Sequence, residues 1–192
     1  MYQSLLEDAS LSGLLIRIDK DLAAREQEGR CRWCGGALHR ADYPRRPRGP
    51  FSVGTRHVRR ISFCCAREGC RRRATPASVV FLGRKVYPGA MVVLLAALRS
   101  GPTPKRAAKI EEVWGVSVRT LSRWRKWWLE SFVRSPFWRA VRARFSGRIR
   151  EEELPFFLVE AFHVNDGVGR LVDLLHWLSP VSRREGLLGR VV

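Results

Sequence analysis

Five cysteines between residues 31 and 70 carry the most specific chemistry in this chain of 192 residues. Cys31 and Cys34 form one close pair, and Cys64, Cys65 and Cys70 follow after a long gap. Two short loops that each supply two thiolates are typical of a tetrahedral zinc site. The glycines that follow Cys34 let the first loop turn tightly. The spacing therefore predicts one structural zinc ion.

The second loop offers three cysteines for two ligand positions. Ile61, Phe63 and Cys65 alternate along one face of a predicted strand. This alternation points Cys65 inward and Cys64 to the opposite face, so Cys64 is kept only as the alternative ligand. The predicted ligands are Cys31, Cys34, Cys65 and Cys70.

Two other interpretations of the cysteines are less favoured. His39 or His57 can replace one thiolate, but four cysteines already complete a closed site. Disulfides need an oxidising compartment, whereas residues 1–8 are acidic rather than signal-like and the cysteine count is odd. The longest apolar run, residues 90–98, is too short to span a bilayer. We expect a soluble cytoplasmic protein with no membrane partner.

The net charge of +18 is unevenly distributed along the chain. Residues 30–73 contain thirteen arginines and two acidic residues, and residues 99–150 contain fourteen basic and three acidic residues. Each of these segments carries +11, whereas residues 1–29 and 151–192 each carry −3. Genome composition can explain why arginine outnumbers lysine by 31 to 5, but not this segregation. Because neutralised phosphates release condensed counterions, we expect nucleic acid as the partner.

Periodicity and turn residues predict a cysteine-rich ribbon between a helix and a helical region. The first helix covers residues 10–28, and short strands cover residues 56–63 and 79–82. Residues 43–50 contain three prolines and a glycine, which predicts an exposed basic arm without regular structure.

Three consecutive helices are predicted in the next part of the chain. An apolar run over residues 90–99 forms the first, Thr103 caps the second, and Ser117 caps the third, over residues 118–133. Gly115 forms the turn between the second and third helices. This order predicts a helix-turn-helix, whose last helix enters the major groove of DNA.

The last helix of this unit has an inner and an outer face. The positions predicted to pack inward are Val118, Leu121, Trp124 or Arg125, Trp128 and Phe132. Outer positions near the start of such a helix read bases or bind phosphates. The predicted nucleic-acid contacts are Ser117, Arg119, Thr120, Arg123 and Lys126 on this helix, with Arg45, Arg46 and Arg48 on the basic arm.

Other aromatic and apolar residues are assigned to the core. Trp114, Trp124 and Trp128 are predicted to pack rather than to stack on bases, since stacking on exposed rings is typical of single-strand binders. Residues 137–145 are predicted to form a further basic helix. The apolar stripe of residues 168–178 either caps the core or mediates self-association.

The chain resembles the DNA-binding front halves of bacterial transposases and insertion-sequence-associated uncharacterised proteins. The residues that carry this resemblance are Cys31-Arg-Trp-Cys34-Gly, Phe63-Cys-Cys-Ala-Arg-Glu-Gly-Cys70-Arg-Arg and Gly115-Val-Ser-Val-Arg-Thr-Leu-Ser-Arg-Trp124. The resemblance covers about residues 30–130 and implies a zinc ribbon followed by a DNA-binding helix-turn-helix. One departure is Glu111, where many related helix-turn-helix units have alanine.

Transposases of this kind continue into a catalytic core with three spaced carboxylates that bind two metal ions. The acidic residues after Glu130 are clustered too closely for such a core. We therefore expect no enzymatic activity and no small-molecule substrate. Double-stranded DNA is the expected partner, with a second copy of the chain or a transposase as a further partner.

The predicted fold class is α+β, mainly α. The expected segments are an N-terminal helix (1–29), a zinc ribbon with a basic arm (30–86), a helix-turn-helix (87–134) and a C-terminal helical segment (135–192). The expected function is sequence-specific duplex DNA binding by a nucleoid-associated accessory or regulatory protein. The alternatives are an RNA or single-strand binder that uses exposed Trp33 and Trp127, and a protein-interaction module that uses the stripe of residues 168–178.

Overall fold

The computed structural model describes residues 9–45, 58–82, 89–96, 103–145, 149–162 and 167–183. As predicted, these ranges are mainly helical with small antiparallel sheets. The helices are α1 (Ala9–Glu28), α2 (Gly89–Ala96), α3 (Pro104–Trp114), α4 (Val118–Lys126), α5 (Pro136–Val141), α6 (Phe156–Ala161) and α7 (Gly167–Leu178). The strands are β1 (Leu38–Arg40), β2 (Tyr43–Arg45), β3 (Val58–Arg60), β4 (Phe63–Cys65) and β5 (Arg73–Ala74). A π-helical segment, Trp127–Phe132, continues α4.

The five strands and the two cysteine loops form one unit, residues 31–45 and 58–74, which we call the cysteine module. Strand β4 lies between β1 and β5, with Leu38 opposite Cys65, and β2 pairs with β3 in a separate ladder. The module has its own small core, made of Ala23 from α1 and Cys31, Leu38, Ile61, Phe63, Cys65 and Ala74.

Part of the expected basic arm is regular structure, which corrects the sequence prediction. Tyr43–Arg45 forms β2, and Pro44 lies opposite Arg59 of β3. A two-stranded ladder leaves one edge of each strand without a partner strand, so the missing N–H of a proline is tolerated there. The prediction of an arm without regular structure relied on its proline content and therefore missed this strand.

The predicted strand over residues 79–82 was wrong. These four residues are buried to 1% exposure or less but form no ladder. The backbone N–H of Val79 donates to Asp19 Oδ1 (2.7 Å), and that of Phe81 donates to Ser78 Oγ (3.1 Å). Side-chain oxygens therefore accept the backbone N–H hydrogen bonds that carbonyl groups of a neighbouring strand would accept in a sheet.

Asp19 of α1 is a buried carboxylate that anchors this segment. Its Oδ2 accepts a hydrogen bond from Ser78 Oγ (2.6 Å). Burial raises the pKa of Asp19, while the hydrogen bond from Ser78, that from Val79 and the charge of Arg60 act in the opposite direction. Arg60 is itself buried and donates to the carbonyl of Pro76 (2.5 Å). Asp19 thus fixes the segment that follows the cysteine module to α1, and Arg60 of the module contacts the same segment.

A second, larger core joins the remaining elements. All eight residues of α2 are buried, and α2 packs against α4, α6 and α7. Leu11 and Leu15 of α1 belong to the same core, as do the rings of Trp128, Phe132 and Trp138. The apolar stripe of α7 also lies within this core, at Leu171, Leu174, Leu175 and Leu178. Of the two roles left open for this stripe, the structure shows core capping.

Candidate metal centre and nucleic-acid interface

The four predicted ligand residues converge at one end of the cysteine module. The Sγ atoms of Cys31, Cys34, Cys65 and Cys70 all lie within 4.8 Å of one another. The separation is 3.4 Å between the sulfurs of Cys34 and Cys65 and 3.8 Å between those of Cys31 and Cys70. Tetrahedral zinc with Zn–S bonds of about 2.3 Å separates its sulfurs by about 3.8 Å. The four thiols therefore have the donor type and the spacing to hold a metal ion.

Two similar turns position these thiols. In the first turn, the backbone N–H of Gly35 donates to the carbonyl of Cys31 (2.7 Å). In the second turn, the backbone N–H of Arg71 donates to the carbonyl of Arg67 (3.3 Å). Gly35 (φ 68°) and Arg71 (φ 45°) both have left-handed backbone conformations. The N–H of Arg67 also donates to Cys65 Sγ (3.4 Å). Each loop thus turns its backbone around the sulfur cluster.

Gly36 lies closer to the sulfurs than the spacing of the cysteines predicts. A Cβ atom at this position would lie 3.0 Å from Cys65 Sγ and 3.3 Å from Cys34 Sγ. The first glycine after Cys34 permits the turn, and the second permits the close approach of the opposite loop. The consecutive glycines were the available sequence signal for this requirement.

The thiols differ strongly in acidity. A hydrogen bond from the backbone N–H of Trp33 lowers the pKa of the Cys31 thiol to about 7. Burial raises the pKa of the Cys65 thiol to about 12. Since metal ions bind thiolates, occupation of this cluster by a metal would release protons, including the one held by Cys65.

The alternative ligands lie elsewhere. Cys64 is half-buried on the opposite face of β4, and its Sγ donates to the carbonyl of Arg71 (3.2 Å). His39 is exposed and lies opposite Cys64 in the β1–β4 ladder. His57 lies outside the described residues. The expected inward orientation of Cys65, which is fully buried, is confirmed.

Helices α3 and α4 are joined by a short turn with the predicted capping residues. Thr103 and Ser117 cap the two helices through their side-chain oxygens. Gly115 has φ 62° and ψ 27°, and its N–H donates to the carbonyl of Glu111 (2.9 Å). The left-handed glycine ends α3 and redirects the chain into α4 within three residues.

The inner face of α4 and its π-helical continuation agrees with the prediction at four positions. The buried residues are Leu121, Trp124, Trp128 and Phe132. Val118 was wrongly placed inside, because its side chain is 48% exposed. Side chains of a helix point back towards its N-terminus, and the first residue of α4 therefore projects past the core. Val116 in the turn is fully buried instead.

The outer face of α4 presents Arg119, Ser122, Arg123 and Lys126 to solvent. Thr120 was predicted on this face and is buried, because it lies one helical turn before Trp124 on the inner side. Its Oγ1 accepts a hydrogen bond from Arg123 Nη2 (3.1 Å). Thr120 therefore orients an exposed arginine and is not itself an exposed contact.

Ser117 is half-buried and belongs to the same small network. Its Oγ lies 3.2 Å from Thr120 Oγ1 and accepts the backbone N–H of Thr120 (3.4 Å). The hydroxyl that begins α4 thus supports the residue that holds Arg123.

The positive charge of this surface has little local compensation. Lys126 faces Glu130 at 3.9 Å, and both side chains are exposed, so this pair is weak. Within the described ranges, no ion pair joins Arg119 or Arg123 to an acidic side chain. Lys105 and Arg106 at the start of α3 are also exposed. Helix α4 and the start of α3 therefore form a positively charged surface that attracts anions, whereas Lys109 near the end of α3 pairs with Glu112.

The arginines predicted on the basic arm have different positions. Arg45 is half-buried in β2, with its guanidinium carbon 5.4 Å from the ring centroid of Phe81 and 5.9 Å from that of Tyr43. Arg45 was predicted to lie on an exposed arm, and it is half-buried because this part of the arm forms β2. Arg46 and Arg48 lie outside the described residues.

Trp33 and Trp127 differ in their surroundings. Trp33 at the tip of the first cysteine loop is 43% exposed. Trp127 packs against Trp128 and Phe132, with ring centroids 4.8 and 5.8 Å away, which removes it as a base-stacking candidate. Trp124 and Trp128 are core residues as predicted, and Trp114 packs partly buried against the same core.

Comparison of the chain with family models, curated proteins and solved structures finds no match. Among the described helices, none combines the length and apolar character needed to cross a membrane.

Proposed function

We propose that this protein binds duplex DNA in a sequence-specific manner and has no catalytic core of its own. In this proposal the cysteine module is a zinc ribbon, and α3 and α4 form a helix-turn-helix. The protein would act as an accessory or regulatory factor of a transposase-like system. The resemblance of residues 30–130 to the DNA-binding halves of transposases supports the same function.

The main support for this proposal is the set of basic side chains on the outer face of α4. Arg119, Arg123 and Lys126 project from a helix whose other face is fixed in the core by Leu121 and Trp124. A rigid helix that presents arginines from its first turns fits the major groove, where a guanidinium can donate two hydrogen bonds to guanine. The hydrogen bond to Thr120 reduces the number of orientations that Arg123 samples before it meets a base.

The metal has a structural part in this proposal. Four cysteine thiolates fill a tetrahedral coordination sphere and leave no open position for a substrate. When bound, zinc would supply folding free energy to a module whose own apolar core is small. The residues that would hold it are Cys31, Cys34, Cys65 and Cys70.

The arginines of the module supply the sequence-independent part of binding. The exposed arginines near the two cysteine loops include Arg32, Arg67, Arg71 and Arg72, together with Arg30, which directly precedes the module. Contacts of this kind to phosphates fix the position of a protein on the duplex, while the contacts of α4 would read its sequence. Arg46 and Arg48, which follow β2 in the sequence, are expected to add to the phosphate contacts.

Selection of bound duplexes from a random pool tests the proposed function directly. A common motif among the selected sites would support sequence-specific binding. Equal recovery of all duplexes, or retention of single strands in preference to duplexes, would contradict it.

Variants of the exposed arginines test which surface reads the sequence. Arg119→Ala and Arg123→Ala should each reduce the preference for the selected duplex over a scrambled one by about tenfold, since a base contact is worth about 1–3 kcal/mol. Arg17→Ala, which removes one exposed arginine from α1, is the charge-matched control and should leave the preference unchanged. Competition titrations at fixed salt measure both duplexes.

Phosphate-binding arginines should behave differently in the same assay. Arg46→Ala and Arg48→Ala should weaken binding to both duplexes alike and flatten the dependence of affinity on salt. An equal loss for both duplexes in Arg119→Ala and Arg123→Ala as well would contradict base reading by α4.

The second candidate function is binding to RNA or single-stranded DNA, which the exposed ring of Trp33 favours. The alternative of a protein-interaction module relied on the leucine stripe of α7. This stripe packs inside the chain's own core and is therefore not available to a partner protein. Single-stranded competitors in the duplex titrations separate the first two functions.

A further inference from the structure

The metal-binding end of the cysteine module carries an exposed tryptophan framed by arginines. Trp33 and Val118 are the only large apolar side chains exposed within the described ranges. The guanidinium carbon of Arg32 lies 4.1 Å from the ring centroid of Trp33, and that of Arg72 lies 5.2 Å away. Trp33 comes from the first cysteine loop and Arg72 follows the second, so folding of the cysteine cluster brings them together.

The backbone holds this group in place. The N–H of Trp33 hydrogen bonds to the sulfur of Cys31, and the carbonyl of Arg72 accepts the N–H of Cys65 (2.9 Å). Both residues are therefore fixed directly to members of the thiol cluster. Trp33 does not belong to the module's core, and its indole ring therefore projects from a loop that is hydrogen bonded to the thiol cluster.

An exposed aromatic ring among arginines has the chemistry of a base-stacking platform. Trp33 remains 43% exposed despite the two guanidinium groups beside it, so these contacts leave part of the residue accessible. A nucleobase can stack on such a ring, and the arginines can neutralise its flanking phosphates. Bases inside a duplex are already stacked on each other, and the ring can therefore receive only an unpaired base.

We propose that Trp33, with Arg32 and Arg72, binds an unpaired base of DNA that is single-stranded next to the duplex contacted by α4. This inference rests on the proposed duplex binding and narrows its substrate to duplexes with a single-stranded tail or an opened end. The cysteine module would then contribute selectivity for DNA structure, and α4 selectivity for sequence.

The test compares blunt duplexes with the same duplexes carrying a 5′ or a 3′ single-stranded tail. The zinc-loaded wild-type chain of 192 residues should bind one tailed form at least about fivefold more tightly than the blunt form, as expected for one stacked base. Trp33→Ala should abolish this preference, and Trp33→Phe should keep part of it. Val118→Ala removes the other exposed large apolar side chain and should keep the full preference.

The outcomes separate this inference from the proposed function. A selected duplex motif with equal affinity for tailed and blunt DNA would overturn the platform while supporting duplex recognition. A tail preference that survives in Trp33→Ala would also overturn it. Loss of the tail preference in Trp33→Ala, with zinc content unchanged, would support the platform even if no duplex motif were selected. Tighter binding of RNA tails than DNA tails would overturn the assignment to DNA.

Discussion

Cys64 and Cys65 are neighbours in the chain, but β4 sends their side chains to opposite faces. Cys65 Sγ lies 3.4 Å from Cys34 Sγ, whereas Cys64 Sγ donates to a backbone carbonyl. The alternation of a strand therefore decides which thiol reaches the cluster. A similar rule acts on α4, where helical spacing turns Thr120 inward and leaves Arg119 and Arg123 outside.

The two cysteines form a matched pair for testing the metal site. Cys65→Ser should reduce zinc binding by more than about tenfold, because one thiolate of a closed tetrahedral site is lost. Cys64→Ser should retain one zinc ion per chain. Native mass spectrometry gives the stoichiometry, and competition with a chelating dye gives the affinity. A wild-type protein purified without zinc, or equal losses in both variants, would contradict the proposed ligand set.

The elements of the candidate DNA-binding unit depend on a small number of local interactions. Thr103 and Ser117 begin α3 and α4, and Gly115 ends α3 in a left-handed conformation. These features follow from residue type over a few positions, which explains why they were predicted correctly. Strand β2 and the irregular segment over residues 79–82 depend on partners far along the chain, and both predictions failed.

The turn glycine can be tested against a glycine in an ordinary helical position. Gly115→Ala should destabilise the fold by about 1–2 kcal/mol, because alanine is strained at φ 62°. No heavy atom lies within 4 Å of the added Cβ, so conformational strain is the only expected cost.

Gly13 provides the control within α1. Its added Cβ would only touch the far end of Arg17, and Gly13→Ala should stabilise the protein by about 0.5–1 kcal/mol. Urea denaturation measures both changes. Equal stability of Gly115→Ala and wild type would show that the turn does not need its left-handed conformation.

The whole molecule contains two hydrophobic cores of unequal size within the described ranges. Helix α1 contributes to both, through Ala23 in the small core and through Leu11 and Leu15 in the large one. The small core includes only a few apolar side chains besides cysteines, and such a core rarely holds a fold by itself. The larger core combines segments from the first helix to α7.

Removal of a metal ion held by the four thiols of the proposed site should therefore affect the two cores differently. After chelation at neutral pH, amide hydrogen exchange should accelerate in residues 31–45 and 58–74 and stay slow in α4 and the π-helical segment. Added zinc should restore the original protection. The physical reason is that four unpaired thiols cannot keep the two loops together against the repulsion of the surrounding arginines. Uniform exchange across the chain after chelation would contradict independent support of the helical core.

The order of the amino acids was enough to predict the cysteine pairs, the segregation of charge, the capping residues and most of the inner face of α4. The segregation of charge follows from counting residue types along the chain, and the other three features depend on residue types at short, fixed spacings. Only the tertiary structure placed Gly36 against the sulfurs, joined Arg72 to Trp33, buried Asp19 beside Ser78 and enclosed the stripe of α7. These features require residues distant in the chain to meet, and local periodicity carries no information about which distant surfaces will pack together.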